Sequence, residues 1–293
     1  MMETISAEQN KAVRDDEKRF SRVYLEITNL CNKRCSFCPG TDRKPGLITE
    51  EQFRLVLEKL RPFTSYVYFH LMGEPLLHPS VVDFVKYANG SDFHPCITTN
   101  GSLLPRVGDD LISAGVYKVN ISIHSFENDL GDDGGYLDGC IDFADKASRA
   151  GVLVVLRLWN QGNDNGRNER IISKLKERFT EPWVYGRDGA RIRHRLHLDM
   201  AEPFDWPDVN ADDLGERVYC HGMHDHFGIL VDGTVVPCCL DRQGDLKLGN
   251  VFEEDLGHIL SSERAVKIEQ GFRRRMASEE LCRRCGYARR FKV

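Results

Sequence analysis

The sequence predicts an α/β protein built on a barrel of six parallel strands, open or closed, with a small cysteine-bearing region behind it. Two observations carry this expectation. From residue 22 to about 200, short runs rich in β-branched and aromatic residues alternate with helix-length amphipathic segments. Such alternation calls for parallel strands joined by right-handed crossovers. Polar and unusual residues also gather where the strand-like runs end: Cys31, Cys35 and Cys38, then Gly73 and Glu74, Thr99 and Asn100, Ser122 and Ser125, and Asn160. In parallel barrels the active face lies at the strand C-termini. A doubly wound sheet would be punctuated in a similar way.

The predicted strands are "RVYLEITN", "YVYFHLMG", "PCITTNG", "YKVNISIHS", "VLVVLRLWN" and "RIRHRLHLDM". Between them lie "TEEQFRLVLEKLRPF", "PSVVDFVKYANG", "PRVGDDLISAG", "GYLDGCIDFADKASRAG" and "RNERIISKLKERF", with apolar residues three and four apart as a helix face requires. Thr49, three residues before Gln52, is a candidate helix N-cap with a capping box. From about residue 203 the pattern changes. "EPFDWPDVNADDLGERVY" is acidic and aperiodic and reads as a connector, "HFGILVDGTVVPCCL" as a β-hairpin around "DGT", and "EEDLGHILSSERAVKIEQGFRRRM" as helical. The expected organisation is an N-terminal segment over 1–21, a barrel over 22–202, a connector over 203–219 and a second domain over 220–293.

Composition excludes several classes. Hydrophobic content of 41% and charged content of 29% are those of a soluble globular chain. No apolar run approaches the ~20 residues that span a bilayer, and the polar start has no apolar core of a secretion signal. A cytoplasmic protein is expected, so its ten cysteines should be thiols or metal ligands, not disulfides. A net charge of −5 offers no global field for nucleic acid. The arginines from 273 onward read as a solvated helix face.

The stretch "CNKRCSFC" sets Cys31, Cys35 and Cys38 within eight positions. Thiolates crowded on one loop repel one another unless a metal compensates. Three soft ligands select zinc or an iron–sulfur cluster, and a structural zinc site wants four. The third cysteine follows an aromatic residue, Phe37, and the spacing resembles the cluster loop of the radical S-adenosylmethionine (SAM) enzymes. That resemblance implies a partial (β/α)6 barrel. It also implies a [4Fe–4S] cluster on the three cysteines, with one iron left to chelate SAM, and an electron donor such as flavodoxin or ferredoxin. The alternative is a zinc loop completed by a distant ligand.

Other segments match the family in order. "MGEP" resembles its Gly-Gly-Glu motif, which makes Gly73 and Glu74 candidates for holding the SAM ammonium; Met72 stands where the first glycine often sits. Thr99, Asn100, Ser122 and Arg157 are further candidates for SAM contacts. His70, His124 and Asn160 are candidates to face substrate, with a hydrogen-bonded core position the alternative for either histidine.

A second cysteine set, Cys220, Cys238, Cys239, Cys282 and Cys285, resembles the SPASM extension of these enzymes, which carries auxiliary clusters. Two further cysteines of the full pattern have no counterpart, so one auxiliary cluster is expected, on Cys220, Cys238, Cys282 and Cys285. Cys239 competes with Cys238, because adjacent strand residues point to opposite faces. Zinc also suits four thiolates. Cys96 and Cys140 stand alone and read as buried thiols.

The expected function is reductive cleavage of SAM and hydrogen abstraction from a small polar substrate. Only about 20 residues precede the first strand, too few for the leader-binding domain of peptide-modifying relatives. "YVYFHLMGEPL" and "GILVDGTVVPCCLD" are similar to bacterial queuine lyases, so a 7-deazapurine heads the candidates. Peptide modification, carbohydrate or aminocyclitol oxidation, and a non-catalytic metal-binding role are the alternatives. Asp199, Glu202, Asp205 and Trp206 offer carboxylates and a ring to a polar heterocycle, or form a solvated acidic connector.

Overall fold

The structure is a computed structural model that describes residues 19–125 and 135–291. Its centre is six parallel strands: β1 (Arg22–Leu25), β2 (Tyr66–Tyr68), β3 (His94–Thr99), β4 (Lys118–Ile121), β5 (Leu153–Leu158) and β8 (Leu196–Met200). The crossovers carry α1 (Glu50–Leu60), α2 (Val81–Gly90), α3 (Leu104–Ser113), α4 (Tyr136–Arg149) and α5 (Arg167–Arg178). The strand order runs linearly without closing on itself, so the barrel is partial, as expected.

Alternation along the strands explains both faces. Val23, Leu25, Val67, Ile97, Val119, Ile121, Val154, Leu156 and Leu196 point outward and are almost wholly buried against the helices. Each such side chain contributes roughly 1.5–3 kcal/mol on burial. Helix α1 packs Phe53, Val56, Leu57 and Leu60 there, with Phe53 stacked on Phe84 of α2 at 4.1 Å between ring centroids. Thr49 caps α1 and forms the predicted capping box with Gln52. The opposite strand face carries Arg22, Tyr24, Tyr68, Lys118, Arg157, His197 and Asp199. All seven are only partly buried, because the partial barrel leaves its concave side open.

One predicted element needs correction. "RIRHRLHLDM" is not one strand but most of a hairpin, with β7 (Gly189–Arg193) antiparallel to β8 across a turn at Arg195 (φ +63°). The short β6 (Val184–Gly186) extends it. The two-residue periodicity runs unbroken through the turn, and no glycine, asparagine or proline marks it.

Past residue 203 the chain runs without helix or strand until the predicted hairpin, β9 (His226–Ile229) and β10 (Thr234–Val236), turning at Gly233 (φ +84°). Strand β9 pairs in parallel with β1, and β11 (Gly249–Asn250) pairs with β10, so the C-terminal region continues the barrel sheet to eleven strands. The predicted long helix divides at Ser261 and Ser262 into α6 (Leu256–Leu260) and α7 (Glu263–Arg273), and Ser262 caps the second. A short α8 (Glu280–Arg283) follows. Arg273, Arg274 and Arg275 are exposed, as a solvated face requires. Among the described residues no helix is long and apolar enough to cross a membrane.

Candidate active site and cysteine centres

The three-cysteine loop leaves β1 at the barrel mouth. Cys31 and Cys38 are exposed and Cys35 is partly buried. The two limbs of the loop are clasped at their base. Thr28 Oγ1 donates to Gly46 O at 2.9 Å, Asn29 Nδ2 donates to Lys44 O at 3.0 Å, and Gly46 N donates to Asn29 Oδ1 at 2.8 Å. A turn from Cys38 N to Cys35 O (3.1 Å) folds the tip. Phe37 lies against His124, with ring centroids 4.7 Å apart. Trp206 Nε1 donates to Phe37 O at 3.1 Å, so the acidic connector crosses directly over the cysteine loop.

The neighbouring loop ends β2. Gly73 has φ +78°, and a Cβ there would lie 2.6 Å from Thr28 O and 2.8 Å from Asn29 Cα. Only glycine lets this loop press against the cysteine loop. Glu74 N donates to Leu30 O at 2.7 Å. The Glu74 carboxylate is buried and accepts from Leu76 N (3.0 Å), Thr99 Oγ1 (2.8 Å) and Asn100 N (2.7 Å). Burial pushes its pKa up to about 7 against the opposing pull of these three donors. A carboxylate has about four lone-pair sites, so one remains for a further donor. Asn100 Nδ2 also donates to Asn32 Oδ1 at 2.8 Å, tying the end of β3 to the cysteine loop. The Cys31 thiol is raised by partial burial and by the nearby Glu74 and Cys38. Cys31, Cys38 and a buried acid thus lie within electrostatic reach at one mouth, with Cys35 on the turn beside them.

The remaining predicted residues divide. Ser122 N is held by Thr99 O at 2.9 Å, which places Ser122 at the same mouth. His124 is buried, and its Nδ1 lies 2.9 Å from Arg157 O, a hydrogen-bonded core position facing Phe37. Arg157 and Asp199 are cross-strand neighbours on the concave face. The Arg157 guanidinium sits 4.5 Å from the Trp159 ring centroid, and Trp159 Nε1 donates to Asp199 Oδ2 at 2.9 Å. The His70 ring stands on Tyr24 and Tyr68, with its Nδ1 enclosed and without a partner. Enclosure pushes its pKa down to about 3. Three residues fall away from this group. Asn160 is buried and accepts from Asn168 Nδ2 at 3.0 Å, which fastens the start of α5. Asp205 is exposed, and its backbone oxygen accepts from Gly286 N at 3.1 Å. Glu202 is exposed on the same connector.

Glu26 escaped the sequence reading. It is wholly buried and accepts from Arg43 at 2.6 Å and from Met72 N at 3.1 Å through Oε1, and from Val231 N at 3.0 Å through Oε2. One carboxylate thereby joins the cysteine loop, the Gly73 loop and the C-terminal hairpin. Its signal in the sequence was a lone acid at an inward strand position.

The second cysteine set surrounds a cavity lined by Cys220, Cys238, Cys282 and Cys285 with Pro207, Val218, Pro237, Leu246, Phe272, Leu281 and Ala288. Burial, and then the neighbouring thiols, push Cys238 and Cys282 well above the ordinary thiol value, while Cys220 rises to about 12. Crowded buried thiols of this kind become thiolates only when cationic metal enters, so the donor set fits a soft-metal cluster. Among the described residues no His, Cys, Asp or Glu group converges to hold a single metal ion; these thiols ring a space instead. Cys239 turns the other way, onto Tyr24 of the concave face. Cys96 and Cys140 are fully buried thiols, as expected.

An open parallel barrel with a three-cysteine loop and a buried acid at its mouth defines a radical SAM protein. The chain belongs to the radical SAM superfamily: that family's model matches residues 25–185, and the model of the SPASM iron–sulfur cluster-binding domain matches residues 220–286. It is therefore an enzyme that uses SAM and a [4Fe–4S] cluster, with an auxiliary iron–sulfur cluster in the second region. Similar curated proteins include GTP 3′,8-cyclases. That of Alkaliphilus oremlandii is 35% identical over 127 residues, covering 38% of this chain and 37% of that protein. That of Marinobacter nauticus is 32% identical over 178 residues, covering 54% and 51%. The chain thus matches between about a third and a half of these relatives' length. Among solved structures, BtrN in complex with AdoMet and 2-DOIA superposes with a TM-score of 0.58 at 19% identity, covering 92% of this chain and 93% of that one. SuiB of Streptococcus suis bound to S-adenosylmethionine gives 0.56 at 15%, covering 84% and 66%. These likenesses establish the fold.

Proposed function

We propose that this enzyme abstracts hydrogen from a small polar molecule held on the concave face of the partial barrel. The observation that carries the reading is that face itself. Arg22, Tyr24, Tyr68, Lys118, Arg157, His197 and Asp199 stand half-buried on it, and beside them a cavity of about 590 Å3 opens along Lys118, Val155, His197, Asp199 and the β6–β7 hairpin. Small-molecule sites commonly have such volumes. SAM bound to a reduced cluster supplies a 5′-deoxyadenosyl radical. Cys31, Cys35 and Cys38 would hold that cluster. Glu74, with Gly73, Thr99 and Asn100 shaping its surroundings, would face the SAM ammonium, while Ser122 and Arg157 would meet its ribose and carboxylate. The chain's own task is positioning, because hydrogen abstraction needs the target C–H close to the radical carbon. Phe37, backed by His124 and pinned by Trp206, keeps the loop tip in place.

Among small molecules, purine-type heterocycles come first. The curated relatives are named for GTP, and the stretches around Glu74 and Cys238 resemble queuine lyases, which act on a 7-deazapurine. Anaerobically reconstituted protein should cleave SAM to 5′-deoxyadenosine with a strong reductant, and Cys35→Ala should abolish cleavage. Purine nucleotides, 7-deazapurines, aminocyclitols and short peptides would then be screened for stimulation, with deuterium transfer into 5′-deoxyadenosine as the readout. Cleavage that survives Cys35→Ala, or stimulation by peptides alone, would overturn the proposal.

A further inference from the structure

Deeper in the partial barrel, below the mouth, the concave face changes character. Tyr24, Tyr68, Cys96, Lys118 and Leu153 lie side by side in one register row across β1 to β5. Arg22 sits just below that row and donates through Nε to Tyr24 Oη at 3.2 Å. Arg157 lies above it, on the same face of β5. Three cations therefore line one concave surface of a chain whose net charge is −5. The carboxylates on these inward positions do not balance them. Glu26 is engaged by Arg43 and two backbone N–H groups, and Asp199, the cross-strand neighbour of Arg157, offsets only one of the three charges.

Lys118 feels the two arginines. Lys118 is held below the ordinary lysine value by burial first and then by Arg157, with Arg22 adding to the effect. Burial likewise depresses Arg157. Arg157 Nε is enclosed and has no hydrogen-bond partner, as is His70 Nδ1 just above the Tyr24–Tyr68 pair. His70, kept neutral by enclosure and by the Arg157 and Lys118 charges, still has an N–H to donate. Enclosing unpaired like charges is costly, and the residual positive potential attracts a compensating anion. A planar guanidinium fork suits the paired oxygens of phosphate or carboxylate, and lysine adds a point charge.

We propose that Arg22 and Lys118, below the SAM-facing Arg157, form an anion-binding floor, so that the substrate carries a phosphate or carboxylate that anchors it away from the reacting C–H. This rests on the function proposed above and specifies its substrate class. The open cavity beside Lys118, along β5, β8 and the β6–β7 hairpin, leaves room for the rest of such a molecule.

The test uses the full-length, anaerobically reconstituted protein saturated with SAM, so that the SAM carboxylate does not compete. Inorganic pyrophosphate and citrate serve as probes in titration calorimetry, with ribose and glycerol as neutral controls. At least one anion should bind and the neutral probes should not. Lys118→Met and Arg22→Met should each weaken binding by about tenfold or more, whereas Lys118→Arg should retain it within about threefold. Binding of pyrophosphate without citrate identifies a phosphate site, and the reverse a carboxylate site. Absence of binding by either anion, or equal binding by wild type and both methionine variants, overturns the proposal. If Lys118→Met fails to fold by circular dichroism, the Arg22→Met and Lys118→Arg pair decides alone. Wild-type SAM cleavage, measured without probes, reports separately on the proposed function: cleavage without anion binding sinks only the floor, and anion binding without cleavage sinks only the function.

Discussion

Replacing Glu26 by alanine should be among the most damaging single changes in the barrel. The carboxylate is fully buried and its partners come from three segments far apart in sequence. Alanine would strand the N–H groups of Met72 and Val231, each worth about 1–3 kcal/mol when buried and unsatisfied. It would also leave the Arg43 guanidinium, whose side chain is only 12% exposed, without its counter-charge. Removing one partner of a buried pair costs about 3–5 kcal/mol. These contributions overlap, because water can enter the space left behind and Arg43 Nε keeps its bond to Arg242 O at 2.8 Å. The expected loss is about 4 kcal/mol, or roughly 8 °C in Tm for a chain of this size. Urea denaturation followed by circular dichroism would measure it. The double variant Glu26→Ala/Arg43→Met removes both charges and should be less damaged than the sum of the single variants, with a coupling of about 1–3 kcal/mol. A loss below about 1 kcal/mol in Glu26→Ala, or strict additivity in the cycle, would show that the carboxylate does not hold these segments together.

Two further outcomes are expected. Glu74 binds its proton more tightly in the folded protein, near pH 7, than in the unfolded chain, near pH 4.5; its contribution to stability is therefore complete below about pH 4.5 and lost as pH rises through 7. Melting of SAM-free protein across pH 4.5–8 should show this loss in wild type but not in Glu74→Gln, and identical profiles would refute it. If the ionised carboxylate faces the SAM ammonium, SAM affinity measured by calorimetry should also fall about tenfold per pH unit below 7. Iron analysis after anaerobic reconstitution should find about eight irons in wild type and in Cys239→Ala, but about four in Cys238→Ala; the opposite assignment of the two cysteines would show that the cavity is not the cluster site.

The fold class was legible because burial follows strand alternation. Outward aliphatic residues such as Val23, Val67, Val119 and Val154 advertise helices on one side, and a two-residue period with helical interludes reads as parallel strands. The cysteine loop was legible because its spacing is local: three thiols on eight residues need no distant partner to be recognised. The Gly73–Glu74 loop was legible only through its resemblance to the family's Gly-Gly-Glu motif, since an acid at a strand end is by itself a commonplace loop; the close backbone approach at Gly73 came from the structure.

The sequence by itself thus determined the partial barrel and the family of its cysteine loop. It also located the C-terminal hairpin at "DGT", because turn chemistry is local. The tertiary structure alone decided matters that depend on which remote segments meet. It bent "RIRHRLHLDM" into a hairpin whose turn carries no turn residue. It sent Cys238 to the four-thiol cavity and Cys239 to Tyr24, a choice made by the bend that follows the end of β10 at Val236 and not by strand alternation. It made Glu26 a junction, laid Trp206 over the cysteine loop, and brought Arg22, Lys118 and Arg157 onto one surface. Strand periodicity specifies which face a residue takes. Who stands opposite is specified by register and crossover across the whole sheet, and pairing of charges follows only from that.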